Sequence, residues 1–320
     1  MIPWRPFMLI SLIVPCYNEE EALPFLYEAL CDVRKQLDSY DFEFIFINDG
    51  SRDKTSDVIR GLKEKDDDVK YVFFSRNFGK ESAMYAGLEK AKGDYVAIMD
   101  ADMQDPPSLI PDMVKALEND EADIVAARRV TREGEPKIRS FFARKFYKLI
   151  NKMCEVEIAD GARDFRLMKR IVVDAIIAVS ERQRFSKGIF AWVGFRTKWL
   201  EHKNVERVAG ETKWSFWKLF KYAVDGIVSF TVAPLRLATY AGFTSALAGF
   251  AYMIYYFIRA IILRIYNEVP GYPSLLCFLL FIGGLILMAL GVLGEYIGRT
   301  FIEVKRRPVY IKAEEDKSED

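Results

Sequence analysis

Two aspartates one residue apart, Asp100 and Asp102, close a short apolar run, Tyr95–Met99. On a turn after a buried strand, both carboxylates can face one pocket. Hard oxygen ligands of this kind suit Mg2+ or Mn2+. Such an ion would bridge the two phosphates of a nucleotide sugar and neutralise the leaving diphosphate as a glycosidic bond breaks. A bare Asp-x-Asp pair is more often a solvated turn. Its place at a strand end, ahead of Gln104-Asp105-Pro106-Pro107, favours the pocket.

Other chemistries are poorly served. The four cysteines (Cys16, Cys31, Cys154, Cys277) have no metal-ligand spacing, and the one histidine is His202. A Cys/His zinc site is therefore not expected, and scattered cysteines fit a reducing compartment. Cys16 reads as a small packing residue and His202 as a surface residue. No nucleophile–histidine–carboxylate constellation is visible. Neither the G-x-G-x-x-G nor the G-x-x-x-x-G-K phosphate loop occurs. Lysine and arginine total 46, as do aspartate and glutamate, so nothing global points to nucleic acid.

The elements that must position the aspartates alternate. Leu9–Val14, Glu43–Ile47, Val69–Phe74, Tyr95–Met99 and Ile124–Ala127 are short β-branched or aromatic runs, as in buried parallel strands. Amphipathic stretches lie between them: Glu20–Leu37, Asp53–Lys65, Lys80–Ala91 and Pro107–Glu118. The pattern predicts an α/β fold with a mostly parallel open sheet. Ligands of such sheets bind beyond the carboxyl ends of the strands. The polar residues gather there: Tyr17-Asn18-Glu19, Asn48-Asp49, Arg76-Asn77, Asp100 with Asp102, and Arg128-Arg129.

Two runs, Leu237–Ile258 and Ser274–Gly294, hold no charged residue. Each has about the ~20 residues that a bilayer-spanning helix needs. Gly242, Ala246, Gly249, Gly283, Gly284 and Gly291 offer small surfaces for close helix contact. Lys213, Lys218, Lys221 and Arg236 precede the first run, and Arg299, Lys305, Arg306 and Arg307 follow the second. The positive-inside rule places both chain ends in the cytoplasm with a short loop outside. Arg259 and Arg264 sit between the runs and would snorkel to the far interface. Met1–Leu9 lacks a signal-peptide pattern, so the first domain is expected in the cytoplasm.

Several motifs then acquire a common meaning. VPCYNEE (Val14–Glu20), NDGSRDKT (Asn48–Thr55), NFGKESAMYAG (Asn77–Gly87) and MDADMQDPP (Met99–Pro107) resemble the family 2 glycosyltransferases of the GT-A fold. RDFRLMKR (Arg163–Arg170), RFSKGIFAWVGF (Arg184–Phe195), GETKWSFWKL (Gly210–Leu219) and GEYIGR (Gly294–Arg299) narrow the likeness. They resemble the polyprenyl-phosphate glycosyltransferases, among them dolichol-phosphate mannose synthase and the bacterial bactoprenol glucosyltransferases. The two-span tail matches the bacterial branch.

The resemblance implies roles. Pro15, Tyr17 and Glu19 would hold the base and ribose, with Asp49 contacting one of them. Arg76 and Lys80 would join the donor-binding set. Asp100, Asp102 and Gln104 would bind Mg2+ or Mn2+, Asp100 also touching the donor. Arg128 and Arg139 would grip the acceptor phosphate; a family serine four residues after Arg139 is Ala143 here. Asp164 is the residue the family would nominate as base. A phosphate monoester has a second pKa near ~6, so the acceptor is already a competent nucleophile at neutral pH. Asp164 could instead order Arg166, help position the donor sugar, or simply form an Asp–Arg ion pair. Arg163, Arg166 and Lys213 are further cations for the acceptor.

The expected layout is a cytoplasmic catalytic domain over 1–212, with an amphipathic segment over 136–153. An interfacial helix (213–235) follows, then spans over 236–264 and 273–298 about an external loop (265–272), and a cytoplasmic tail (299–320). Segments 136–153 and 213–235 mix aromatic and basic residues, as interfacial helices do. Expected partners are a nucleotide-sugar donor (UDP-glucose favoured), a polyprenyl-phosphate lipid and the inner membrane; a homo-oligomer is left open. A processive polysaccharide synthase is the rival enzyme, but the Q-x-x-R-W motif of those chains is missing. A non-catalytic nucleotide-sugar-binding protein is the other rival, and retention of Asp100, Asp102, Gln104 and Asp164 together speaks against it.

Overall fold

The computed structural model describes residues 7–129, 162–179, 181–202, 231–258 and 272–316. Two compact units emerge. One holds a sheet with its flanking helices, and the other a pair of long helices.

In the first unit the chain runs β1 (Met8–Cys16), α1 (Leu23–Gln36), β2 (Tyr40–Asn48), α2 (Thr55–Lys63), β3 (Val69–Phe74), α3 (Lys80–Lys90) and β4 (Tyr95–Ile98). A 3-10 turn (Pro107–Leu109), α4 (Ile110–Glu118), β5 (Ile124–Arg129), β6 (Ala162–Lys169), α5 (Arg170–Ala178), α6 (Ser186–Trp192) and β7 (Thr197–His202) follow. The expected α/β sheet is present, in the order β7-β5-β6-β4-β1-β2-β3-β8, where β8 is Lys312–Glu315. All strands run parallel except β6 and β8. The strands form where side chains can be buried on both faces. Ile10, Leu12, Ile13 and Val14 of β1 are fully enclosed. In α1, Leu23, Leu26, Leu30 and Val33 make one apolar stripe at helical spacing. That stripe joins residues of α2 and α4 in one core cluster with the sheet. Helix α3 approaches β1 so closely that a Cβ on Gly87 would meet Ile13 at 2.2 Å.

Chain order reverses at β1, which has β2 on one side and β4 on the other. In open parallel sheets the crevice at this reversal binds ligands. Antiparallel β6, inserted beside β4, brings its first residues to the same edge. The pairing Ile98↔Arg166, continued by two residues, sets Asp164 opposite Asp100.

Three features differ from the sequence reading. Strand β1 continues through Pro15, which pairs with Ile47, rather than ending before it. Strands β6, β7 and β8 were not anticipated. The tail beyond the second helix is part of the sheet: β8 pairs antiparallel with β3. Its anchors are ionic and aromatic. Asp316 Oδ1 accepts from the Tyr71 amide at 3.0 Å and lies 2.8 Å from Lys90 Nζ. Glu314 pairs with Arg60 at 2.7 Å. Tyr310 stacks on Phe74, with ring centroids 4.7 Å apart, and donates to Glu89 at 2.8 Å.

The second unit comprises α7 (Ala233–Phe257) and α8 (Tyr272–Val304). Helix α8 runs six residues beyond the expected end at 298. Among the described residues one segment, Phe281–Val304, is long and apolar enough to cross a membrane. Among the described residues, nothing lies within 4 Å of a Cβ built on Gly242, Gly249, Gly283, Gly284 or Gly291. The amphipathic segments at 136–153 and 213–230, and the inter-span loop, lie outside the described residues.

Asp316 ties the returning strand to both the β3 backbone and α3. Asp316→Ala is expected to cost about 1–3 kcal/mol. Thermal unfolding of the full chain in detergent should then begin roughly 3–9 °C lower.

Candidate active site

The loop after β1 and the loop after β2 are laced together by backbone amides. Asn18 takes the left-handed conformation, with φ 54°. Its amide donates to Ser51 Oγ at 2.9 Å, and its side-chain oxygen accepts from the Arg52 amide at 2.9 Å. The Glu19 amide donates to Thr55 Oγ1 at 2.9 Å, and the Lys54 amide to Glu20 Oε2 at 2.7 Å. Tyr17 and Glu19 are held half-buried at the carboxyl end of β1. This is where a donor's base and ribose were expected.

Asp49, expected to contact the base or ribose, is bonded to the backbone ahead of α3. It is 3% exposed, and its two carboxylate oxygens accept from the amides of Phe78 (2.6 Å) and Gly79 (2.9 Å). Burial pushes its carboxyl up to about 6, against the pull of the two amides and of Arg76. Its evident work is to fix the turn that launches α3. Gly50 beside it, at φ 66°, is required by close approach: a Cβ there would meet the Arg76 carbonyl carbon at 2.4 Å. Arg76 itself lies at the surface over the Phe78 ring, 4.1 Å from its centroid.

That turn delivers Lys80, the first residue of α3, to the centre of the site. Its ammonium lies 2.5 Å from Asp100 Oδ1 and 2.5 Å from Asp164 Oδ2. Burial opposes charge on Asp164, but Lys80, Lys187 and Arg166 outweigh it and hold the carboxyl well below the usual range. Asp100 goes the other way: burial and the neighbouring charges of Asp164 and Asp102 raise it despite Lys80. Asp102 Oδ1 accepts from the Gln104 amide at 3.1 Å. The Gln104 side-chain oxygen is turned to Arg163, whose Nη2 donates to it at 3.0 Å. Arg163 Nε also reaches Asp105, which is 1% exposed, at 3.0 Å. His202 is not the surface residue expected. It is 8% exposed, with Nε2 3.2 Å from Asp105 Oδ1; the buried carboxylate draws it in.

Arg166, expected among the acceptor cations, is turned to the protein's own backbone. It is 3% exposed. Its guanidinium donates to the carbonyls of Arg163 (2.8 Å) and Asp164 (3.2 Å) and stacks on Phe190 at 3.6 Å. Burial pushes it down to about 10. The hydrogen bond that Asp164 gives Arg166 comes from its backbone carbonyl, while its carboxylate acts on the guanidinium by charge. Glu81 completes the frame by accepting from the amide (2.9 Å) and hydroxyl of Ser186, which fixes the start of α6. Glu81, Ser186, Asp105 and Phe190 were not singled out from sequence, although all four lie inside the quoted motifs. Arg128 is half-buried at the end of β5. Arg139 and Lys213 lie outside the described residues.

Among the described residues no group of three Asp, Glu, His or Cys side chains forms a preassembled metal cage. The donor chemistry still fits a hard divalent ion. Mg2+ is commonly held by one or two carboxylates plus substrate phosphates and water. The carboxylates here already converge on a cation, the Lys80 ammonium.

The mostly parallel sheet, with its carboxylates at the edge where chain order reverses, is an α/β fold of the GT-A-like type. The profile described as Glycosyl transferase family 2 matches residues 11–177, and the one described as GtrB C-terminal hairpin matches 233–300. The chain belongs to glycosyl transferase family 2. It is 45% identical over 304 residues to the prophage bactoprenol glucosyl transferase homolog of Escherichia coli (strain K12), covering 95% of this chain and 98% of that protein. Identity to the bactoprenol glucosyl transferase of Shigella phage SfV is also 45%, with the same two coverages. Among solved structures it is similar to glucosyl-3-phosphoglycerate synthase from Mycobacterium tuberculosis in complex with Mn2+ and UDP-glucose. The TM-score is 0.47 and the identity 17%, over 69% of this chain and 77% of that one.

The placement of Arg166 yields a direct test. Arg166→Ala should lower stability by about 2–4 kcal/mol through loss of two charged hydrogen bonds and the stacked ring. Chemical unfolding midpoints measure this. A residue gripping the acceptor would instead raise the KM for lipid phosphate at unchanged stability.

Proposed function

We propose that this enzyme transfers a hexose, with glucose from UDP-glucose favoured, to polyprenyl (undecaprenyl) phosphate with inversion at the anomeric carbon. The observation that carries this reading is the convergence of Asp100 and Asp164 on one cation at the carboxyl edge of β4 and β6. Support comes from relatives whose names specify bactoprenol glucosyl transfer over nearly the whole chain.

In this reading the laced loops after β1 and β2 seat the base and ribose. Asp100 and Asp102 would hold Mg2+ or Mn2+, with Gln104 joining once it leaves Arg163. Such an ion, when bound, neutralises the departing diphosphate. The acceptor phosphate oxygen attacks the anomeric carbon from the face opposite the diphosphate. The new carbon–oxygen bond forms as the old one breaks, and the leaving diphosphate keeps the electron pair. A dianionic acceptor has no proton to surrender, so no protein base is required. Asp164, beside Lys80, acts by position. Arg128 and Arg139 remain the proposed acceptor cations.

Two helices in the 233–300 hairpin would anchor the enzyme in the inner membrane, with catalytic domain and both termini cytoplasmic. Segments 136–153 and 213–235 would lie at the interface and present the site to the lipid phosphate. The product is a lipid-linked sugar for cell-envelope, lipopolysaccharide or protein glycosylation.

Purified full-length protein, radiolabelled UDP-glucose, Mn2+ and undecaprenyl phosphate should give an organic-extractable product carrying one hexose by mass spectrometry. Asp102→Asn should abolish it. No lipid-linked product from any common donor with either metal refutes the reading. The rate should rise with pH through about 6, following the acceptor's second ionisation, and then level. Asp164→Asn should lower the plateau and leave that inflection in place. Loss of the inflection in this variant would restore Asp164 as the base.

A further inference from the structure

Lys80 is bound to Asp100, one of the residues proposed above to hold the metal. Its ammonium touches the Asp100 and Asp164 carboxylates at 2.5 Å. Two neighbouring guanidiniums make their hydrogen bonds elsewhere, Arg163 to Asp105 and Gln104 and Arg166 to backbone carbonyls, and with Lys187 they act on the carboxylates only through their charge. Lys80 is anchored at its backbone, because Asp49 fixes the turn before it. Its side chain nevertheless stays 38% exposed. A lysine stem is flexible and its ammonium donates in any direction, so the head can swing while the helix start stays still.

We propose that Lys80 is an internal counter-cation that excludes free metal from the empty site, so that the divalent ion enters only together with the donor diphosphate. This positioning role rests on the metal-dependent reading above. Without donor, a divalent ion on Asp100 would sit against an ammonium held by the same carboxylate, and like charges at that range repel strongly. The donor diphosphate changes the balance. Its oxygens give Lys80 a second anionic partner, and a charge-assisted bond there replaces the one lost to Asp100. Metal and donor then bind with positive coupling, and an empty site does not collect ions that would have to be shed.

The test measures bound Mn2+ by electron paramagnetic resonance on the full chain in detergent, with and without UDP. In the wild type, UDP should tighten Mn2+ by about tenfold or more, within the usual range of coupling between two ligands. Lys80→Met should bind Mn2+ without UDP about tenfold more tightly than the wild type, and the further gain from UDP should shrink. Lys80→Gln serves as a second neutral variant if the first does not fold, and Lys80→Arg should keep the wild-type pattern. Donor-free Mn2+ affinity that is unchanged or weaker in the neutral variants overturns the proposal. So does equal Mn2+ affinity with and without UDP in the wild type. Glucose transfer to undecaprenyl phosphate by the same wild-type preparation reports separately on the function: correct metal coupling without lipid product condemns that reading alone.

Discussion

Two carboxylates at the ends of neighbouring strands repel one another, and taking them out of water adds to the cost. Asp100 and Asp164 are held together because an ammonium lies between them. Much of the surrounding architecture serves that contact. Asp49 binds the amides of Phe78 and Gly79, which sets where α3 begins and hence where Lys80 stands. Glu81, the next residue, captures Ser186 and fixes α6. Phe190 on α6 receives the Arg166 guanidinium, which in turn braces the backbone of Arg163 and Asp164. The chain of contacts returns to the carboxylate from which it began.

The sheet supplies the other half of the geometry. Parallel strands send every strand-to-helix loop to one edge, so residues distant in sequence meet there without special folding. Antiparallel β6 is the exception that matters. A strand running the opposite way presents its first residues, not its last, at that edge. Asp164 can therefore face Asp100 across adjacent strands while Lys80 arrives from a helix start on a third segment.

What the sequence made legible follows the same physics. Strands β1 to β5 are apolar on both faces and stand out as continuous runs, and the helices between them carry one-sided stripes. Strand β6 reads ARDFRLMK, with charges through its length, and gives no such run. Arg166 looked like a cation for solvent or phosphate because its burial depends on Phe190, a contact absent from local sequence. A lone histidine gave no hint of Asp105 for the same reason. The Asp-x-Asp pair and the residues flanking Lys80 were visible as types at strand ends. The bridge between Asp100 and Asp164 was not, since it requires the register of β4 against β6. Strand β8 reads KAEE and resembles a solvated tail; its pairing comes from Arg60, Lys90 and the open edge of β3.

That last strand has a consequence for how the protein is made. Tyr71 and Glu314, bonded side chain to side chain, are 243 residues apart. During synthesis β3 leaves the ribosome early, and its partner only after both long helices have been translated. The sheet therefore carries an unsatisfied edge through most of elongation, and closing so distant a contact is slow. The sheet of the catalytic unit therefore closes only once the chain beyond both long helices has been made.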